Sequence, residues 1–413
     1  MTTDGRPIVR HADRAREFEP TAHYADLRDR CPVHHEAEHE PEFFVLSRFD
    51  DVVDALKHPD VWRNADGPGV FHQETGVLGT TDDPDHARHR RVLGSAFVPT
   101  SIARMAPAIE AIADELFDAM LPLGRGDFVE LFAIPFPALA IAELLGVPRS
   151  ERDSFGRWSN VAVAALTGGD LDAYREAKTA LEDHVEAGVD ARDAMLGGDA
   201  PVDDAVLGDV IPADVLGLLT IALRNGLIAR AEARHLGYQL LVAGHETTTS
   251  LLGMMLYRLV ERPELLQRLR DDRSLLPAAI EEALRFDSPV HGLFRTSPHD
   301  QVVHDVDIPA GTKVQLAFAS ANRDPAQFVD PEVFRIDRER VELGRHVAFG
   351  WGIHHCIGAP LARLETLITF ERVLDRMADI ELDGAPVRND SFVLHGLTSL
   401  PIRWRASSTA SAR

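Results

Sequence analysis

Residues Phe349–Arg363 read "FGWGIHHCIGAPLAR", and the interpretation of the whole chain turns on this stretch. Gly350, Gly352 and Gly358 allow sharp turns and the close approach of a bulky flat group. Past Cys356 the sequence "IGAPLARLETLITFERVL" has helical periodicity, with Pro360 in the first turn, where a missing N–H costs little. Cys356 therefore lies at or just before a helix amino terminus, where free N–H groups and the positive dipole end stabilise a thiolate. Thiolate is the form that binds a metal or attacks carbon.

Three chemistries compete for this cysteine. A His-His-Cys cluster could hold zinc, but no fourth ligand stands at a recognisable spacing. A nucleophilic cysteine needs a positioned base and an oxyanion site, which neighbours in one tight turn rarely supply. A single axial thiolate to haem needs one cysteine, a glycine-rich loop and a flat cavity, and it accounts for most of these residues.

Composition narrows the setting. The chain has 413 residues, 45% of them apolar, so it is globular and long enough for a large core. With 43 basic and 66 acidic side chains the formal charge is -23, which speaks against a nucleic-acid partner and for a soluble protein. The amino terminus "MTTDGRPIVRHADRAREFEP" is charged throughout, and no apolar run reaches the roughly 20 residues of a membrane span. Two cysteines, Cys31 and Cys356, make no disulfide framework. The expected location is a reducing cytoplasm, with no membrane partner.

Helical periodicity dominates, over 104–121, 136–146, 172–195, 214–224, 229–260, 263–271, 276–286 and 359–377. Strand-like pieces are few: 43–47, 301–318 and 392–404. The fold class is mainly α with small β-sheets. Residues 197–209 read as a loop. No internal linker divides the chain, so the expectation is an extension over 1–20, one domain over 21–404 and a flexible tail over 405–413. The run 229–260 would make one helix about 48 Å long at 1.5 Å per residue. Its middle, "AGHETTTS" (Ala243–Ser250), is weak helix sequence, and its threonine hydroxyls can bond back to carbonyls one turn earlier. Two readings stand for it, a tolerated weak spot or a notch against which something sits.

The opening stretch resembles the haem-binding loop of the cytochromes P-450, Phe-Gly-x-Gly-x-His/Arg-x-Cys-x-Gly, with Phe349, Gly350, Gly352, His354, Cys356 and Gly358 in the matching places. Other segments resemble the family in its own order. "EALR" supplies a Glu-x-x-Arg pair, Glu282 and Arg285, and "ANRDPAQFVDPEVFRIDR" (321–338) is similar to the meander in which Arg335 would complete a buried ion network. "AGHETT" resembles the acid–alcohol notch of the long central helix. "DDPDHARHRR" (82–91) and "HGLFR" are similar to segments that hold the haem propionates. The resemblance spans about residues 20 to 404 and is nearest to the soluble bacterial members.

The resemblance implies a single-domain cytochrome P-450 fold with haem b between the long central helix and the cysteine loop and helix. It makes Cys356 the proximal iron ligand and His86, Arg90, Arg295 and His354 the propionate partners. Phe349, Gly350 and Gly358 would shape the loop around the sulfur, and Ala243 and Gly244 would leave room on the distal side. Glu246 and Thr247 match the acid and alcohol that deliver protons there, a role that suits a carboxylate and a hydroxyl holding ordered water. Glu282, Arg285 and Arg335 would serve folding, since breaking half of a buried ion pair costs several kcal/mol. His245 and Thr248 fall elsewhere on the helical wheel.

The implied reaction inserts one oxygen atom of O2 into a C–H or C=C bond of a small-to-medium hydrophobic molecule. Its implied pocket takes in Trp62 to Leu78, Gln239, Val242, Ala243, Val290, Leu293, Val393 and Leu394, with Gln239 or His291 able to hold one polar group. The chain carries no flavin or iron–sulfur motif, so electrons are expected from a separate ferredoxin served by an NAD(P)H-dependent ferredoxin reductase. Arg88, Arg91, Arg104 and Arg345 are candidates for a basic patch facing it. Two alternatives stay open: a peroxygenase using H2O2, against which Glu246–Thr247 argues, and a non-catalytic haem sensor or electron carrier, against which the opening at Ala243 and Gly244 argues.

Overall fold

The computed structural model describes residues 10–73, 76–164, 170–198 and 200–407. In chain order the first elements are α1 (His11–Arg14), α2 (Thr21–Arg30), β1 (Val33–Glu36), β2 (Phe43–Leu46) and α3 (Phe49–Lys57). A helical run follows: α4 (Asp85–Phe97), α5 (Pro99–Met120), then β3 (Arg125–Asp127), α6 (Pro135–Leu145), α7 (Arg152–Ala164), α8 (Leu171–Leu196) and α9 (Val215–Arg224). Then α10 (Arg230–Val260), α11 (Pro263–Asp271) and α12 (Leu276–Phe286) precede β4 (Leu293–Thr296), β5 (Gln301–Val303), β6 (Val306–Ile308) and β7 (Lys313–Leu316). The chain closes through α13 (Phe318–Ala321), α14 (Arg340–Leu343), α15 (Ala359–Arg376), β8 (Met377–Leu382), β9 (Val387–Arg388), β10 (Leu397–Ser399) and β11 (Pro401–Ala406).

These elements form two units, one built from the chain up to Asp82, Leu275–Cys356 and Arg388–Gly396, the other from Asp83–Ser274, Ile357–Val387 and the chain from Leu397. The first unit is organised on a four-stranded sheet in the order β1-β2-β7-β4, with β2 and β7 parallel and the outer pairs antiparallel. "FFVL" of β2 and "KVQL" of β7 are buried along their whole length. The two polar residues of β7 are buried because they find partners. The Lys313 ammonium donates to the carbonyls of Asp66 (2.6 Å) and Gly67 (2.7 Å), and the Gln315 side-chain oxygen lies 2.7 Å from the His11 ring. His11 belongs to α1, so residues 10–20 pack into this unit through buried Ala12 and Ala15 rather than standing off as an extension. Residues 1–9 and 408–413 lie outside the described residues, and 405–406, expected in the tail, are the end of β11.

The second unit is helical around α10, which packs against α6, α7, α8, α9, α11 and α15. From Thr248 to Val260 every residue of α10 is buried, the mark of a helix inside a core. Between α5 and the start of α6, Phe132 stacks on Phe128 and Phe136 and meets Phe117 at a tilt, with ring centroids 4.6–5.4 Å apart. A small antiparallel sheet, β3-β11-β8, completes the unit.

The periodic segments become helices within a few residues of their expected ends. The one large shift is α5, which starts at Pro99 instead of 104 because proline is well suited to the first helical turn. The strand-like run 301–318 divides at His304 and Asp305, whose positive φ angles (49° and 62°) turn β5 back onto β6.

Candidate active site

In the first unit the cysteine loop is shaped by its own backbone. The amide of Gly350 donates to the Val347 carbonyl (2.9 Å), and that of Cys356 to the Phe349 carbonyl (2.8 Å). Gly352 has φ +70°, and a Cβ there would lie 2.7 Å from the Leu56 carbonyl, so only glycine lets the loop rest on the end of α3. Cys356 is exposed on this loop. The other cysteine, Cys31, is engaged with the Val33 carbonyl (3.5 Å) and the His34 ring (3.8 Å).

Behind the loop lies a fully buried ion network. Glu282 receives two bonds from Arg285 (2.7 and 2.9 Å) and one from Arg338 (3.0 Å). The sequence reading put Arg335 in this place, and the structure corrects it. Arg335 gives Glu282 only its backbone amide (2.8 Å), while its side chain is partly exposed beside Asp337. Three residues further on, the Arg338 side chain is enclosed and also donates to the carbonyls of Asp330 (2.7 Å) and Val333 (2.9 Å). Arg285 continues to the Asn322 carbonyl (2.8 Å), and the Asn322 side-chain oxygen accepts the Val347 amide (2.7 Å). His346, bonded to Glu281 (2.9 Å), adds a second tie between α12 and the loop.

Two of the expected propionate partners converge on Asp82. The His354 ring lies 4.0 Å from its carboxylate, and Arg295, on β4, feels its charge. Asp82 is held by the amides of Asn64 (2.8 Å) and Ala65 (3.2 Å). Arg295 is buried, gives one N–H to the Phe294 carbonyl (2.8 Å) and, among the described residues, forms no ion pair. Burial pulls its pKa down to about 10 against the opposing pull of Asp82. A buried cation of this kind is a donor prepared for an anion. An exposed cysteine on a glycine-rich loop and a buried arginine in the same unit fit a haem with carboxylate side chains. Among the described residues no group of three or more His, Cys, Asp and Glu is placed to hold a metal ion.

In the second unit His86 and Arg90 stand one turn apart on α4, His86 buried and Arg90 half-buried. Burial lowers the His86 pKa, with Asp83 (3.5 Å) opposing. Between them Arg88 donates to Glu232 of α10 (2.7 and 3.2 Å) and to the Leu227 carbonyl (2.8 Å), and His89 meets the same carboxylate (3.0 Å). Those bonds, led by Arg88, hold Glu232 at about 2. Arg88 is thus a clamp of α4 on α10 and drops out of the basic patch, whereas Arg91, Arg104 and Arg345 are exposed.

The α10 notch has two unlike faces. Gln239, Ala243 and Thr247 recur at four-residue steps, so they share a stripe. Ala243 is exposed, and Gly244, Glu246 and Thr247 are partly exposed. The Thr247 hydroxyl donates to the Ala243 carbonyl (2.7 Å). A Cβ on Gly244 would meet the Ile141 side chain of α6 at 3.3 Å. His245, Thr248 and Thr249 are buried on the opposite side.

Of the expected pocket residues, Val290 and Leu394 are brought side by side by an antiparallel bridge, with Val393 and Leu293 partly exposed in the same unit. Val242, like Gln239, is partly buried on α10. His291 is corrected: it is fully enclosed, 3.1 Å from the Tyr24 hydroxyl and stacked on His395 (4.4 Å), so it has no surface for a substrate. The Gln239 side-chain oxygen is buried and, among the described residues, has no hydrogen-bond partner. Sequence reasoning missed Arg338, Asn322 and Asp82. Arg338 was legible as the second arginine of "RIDR", but nothing in the sequence says which of the two turns inward.

A Cytochrome P450 family model matches residues 173–391. The chain is 35% identical to cytochrome P450 107B1 of Saccharopolyspora erythraea over 98% of this chain and 99% of that one. It is 34% identical to the cytochrome P450 monooxygenase PikC of Streptomyces venezuelae, over 100% and 98% of the two chains. The solved structure of PksS, the bacillaene polyketide synthase cytochrome P450 of Bacillus subtilis 168, superposes with a TM-score of 0.83 at 30% identity, covering 97% of this chain and 100% of that one. The chain belongs to the cytochrome P450 family. It is a monooxygenase that carries haem b on a cysteine thiolate and works with O2, an organic substrate and a source of electrons. Among the described residues no single helix is long and apolar enough to cross a membrane.

Proposed function

We propose that Cys356 is the thiolate ligand, that His86, Arg90, Arg295 and His354 hold the propionates, and that Glu246 and Thr247 pass protons to the distal side. Haem bound there supplies the dioxygen chemistry. The carrying observation is the cysteine loop itself, with the thiol exposed above a glycine backbone pinned to α3. Cys31 is a poor rival, since it follows α2 outside any glycine-rich loop and its sulfur lies 3.5 Å from the Val33 carbonyl and 3.8 Å from the His34 ring. Phe349, Gly350 and Gly358 shape the loop and shield the sulfur. Ala243 and Gly244 keep side-chain bulk off the exposed stripe of α10, where a hydroxyl and a carboxylate can hold and move a proton.

The substrate in this reading is a medium-sized hydrophobic molecule, a natural-product intermediate of the polyketide kind that the name of PksS indicates. Val242, Val290, Leu293, Val393 and Leu394 give it apolar walls. The Gln239 oxygen, without a hydrogen-bond partner among the described residues, lies two helical turns from Thr247, a separation of about 12 Å along the axis. That places one hydroxyl or N–H donor of the substrate remote from the oxidised carbon. Electrons come from a ferredoxin and its NAD(P)H-dependent reductase in the cytoplasm, with Arg91, Arg104 and Arg345 available to an acidic partner. Residues 21–404 work as one haem domain.

The test has two parts. Wild type gives the carbon-monoxide band of a thiolate-ligated haem, and Cys356→Ser loses it while Cys31→Ser keeps it. Retention of that band by Cys356→Ser sinks the assignment. A panel of macrolides and steroids is then screened for spin-state shifts, and Gln239→Leu weakens ligands bearing the donor by about tenfold relative to analogues without it.

A further inference from the structure

We propose that His245 is a positioning residue for proton delivery, locking the rotation of α10 at Glu246 and Thr247 through hydrogen bonds to Ser159 of α7 and to the Ile134 carbonyl. The inference rests on the proton-relay reading of that pair.

Both ring nitrogens of His245 are used. Nε2 lies 3.0 Å from the Ile134 carbonyl, which can only accept, so Nε2 carries the hydrogen. Nδ1 then accepts, and the Ser159 hydroxyl, 2.6 Å away, donates to it. Burial keeps the ring neutral, with a pKa near 4, so one tautomer serves across the working pH range. Ile134 sits where a π-helical turn over Val129–Ala133 passes into α6. The next carbonyl back, Ala133, accepts from the Thr249 hydroxyl (2.9 Å). Two side chains four residues apart on α10 thus grip two consecutive carbonyls of one turn.

The grip matters because the helix is soft at this point. Gly244 and three consecutive threonines are weak helix formers, and the Thr247 hydroxyl competes for the Ala243 carbonyl within its own helix. A side-chain atom 5–6 Å from a helix axis moves about 1 Å when the helix turns by about 10°. Displacement on that scale is enough to cost about a hundredfold in a positioned reaction. His245 directly precedes Glu246 and lies two residues before Thr247, about 100° and 200° away around the helix, so fixing its rotation fixes theirs. Ser159 belongs to α7, which packs on both α8 and α10, so the relay also registers where α7 sits.

The experiment uses the holoenzyme without substrate, driven by a plant-type ferredoxin with its NADPH-dependent reductase. Two electrons and two protons take O2 to hydrogen peroxide at one NADPH per O2; four electrons and four protons take it to water at two. Ser159→Ala is expected to raise the peroxide share at least threefold, with the carbon-monoxide band unchanged, and Ser159→Thr, which keeps the hydroxyl, to restore it. Thr247→Ala raises the share as well, and Ser159→Ala adds nothing on top of it. A rise with Thr247→Ala but none with Ser159→Ala overturns the role of His245 and leaves the relay standing. No rise with Thr247→Ala removes the relay and this inference with it. Equal loss of coupling in Ser159→Ala and Ser159→Thr, or additive effects with Thr247→Ala, also overturns it, because either result means packing rather than the hydrogen bond.

Discussion

Asn322 accepts the Val347 amide on its side-chain oxygen (2.7 Å) while its backbone carbonyl accepts from Arg285, so the cysteine loop and the buried ion network share one residue. Its side-chain nitrogen also donates to Ser288 (2.8 Å). Truncation in Asn322→Ala strands the buried Val347 amide and removes the donor to Ser288, whose hydroxyl keeps its own bond to the Leu284 carbonyl (3.0 Å), at a cost of about 1–3 kcal/mol. The expected result is a lower urea midpoint and a smaller yield of haem-loaded protein. A variant with wild-type midpoint and haem content would show that the link carries no load.

Arg338 and Arg335 offer a direct contrast. Removing Arg338 leaves Glu282 with one cation in a fully buried site, which costs about 3–5 kcal/mol. Arg335 lends only its backbone to Glu282, and its partly exposed side chain faces Asp337 across 3.6 Å, so Arg335→Ala is expected to cost under about 1 kcal/mol. Urea unfolding of the two alanine variants decides it, and equal losses would refute the assignment.

Arg335 and Arg338 mark the limit of what the sequence makes legible. Residue type and spacing locate a motif on one element, and they do so well for Cys356, for Glu282 with Arg285, and for the long helix with its notch. They do not say which member of a near-repeat turns inward, because that depends on the register of an irregular segment against α12. The same holds for residues whose partners are distant in sequence. Lys313 and Gln315 look like the polar positions of an alternating strand, yet both are buried, and their partners come from residues 66–67 and 11. His291 reads as a pocket residue until Tyr24, 267 positions away, is seen to occupy it.

Two glycines of the loop separate strain from crowding. Gly350 and Gly352 have similar positive φ angles, 68° and 70°. A Cβ on Gly350 meets nothing nearer than 3.8 Å, so Gly350→Ala carries only the backbone penalty, about 1–2 kcal/mol. On Gly352 it would lie 2.7 Å from the Leu56 carbonyl, and the loop must lift off α3. Gly352→Ala is therefore expected to lose most of its haem, and Gly350→Ala to keep most of it, as read from the Soret-to-protein absorbance ratio. The reverse order would contradict the packing described.

The amino-terminal anchor has its own pH dependence. His11 Nδ1 lies 2.9 Å from His23 Nε2, and Phe43, Gln315 and Glu36 enclose His11 while Arg14 and His34 act on His23. Burial lowers the two pKa values to about 3 and about 4. The folded state then binds fewer protons than the unfolded state below about pH 6.5, so stability is full above that point and falls as the pH drops, by about 1.4 kcal/mol per unit for each proton. His34 runs the other way. Burial pulls it down, but bonds to Cys31 and Glu36 outweigh that and lift it to about 9, so its contribution is present below 6.5 and fades as the pH rises toward 9. Denaturant midpoints should peak between these limits. Replacing His11 and His23 with glutamine should lessen the acid-side slope between about pH 6.5 and 4.5 and leave the alkaline side unchanged, the remaining slope coming from other buried neutral imidazoles such as His245 and His291. An acid-side slope undiminished by both replacements would show that the pair contributes nothing to it.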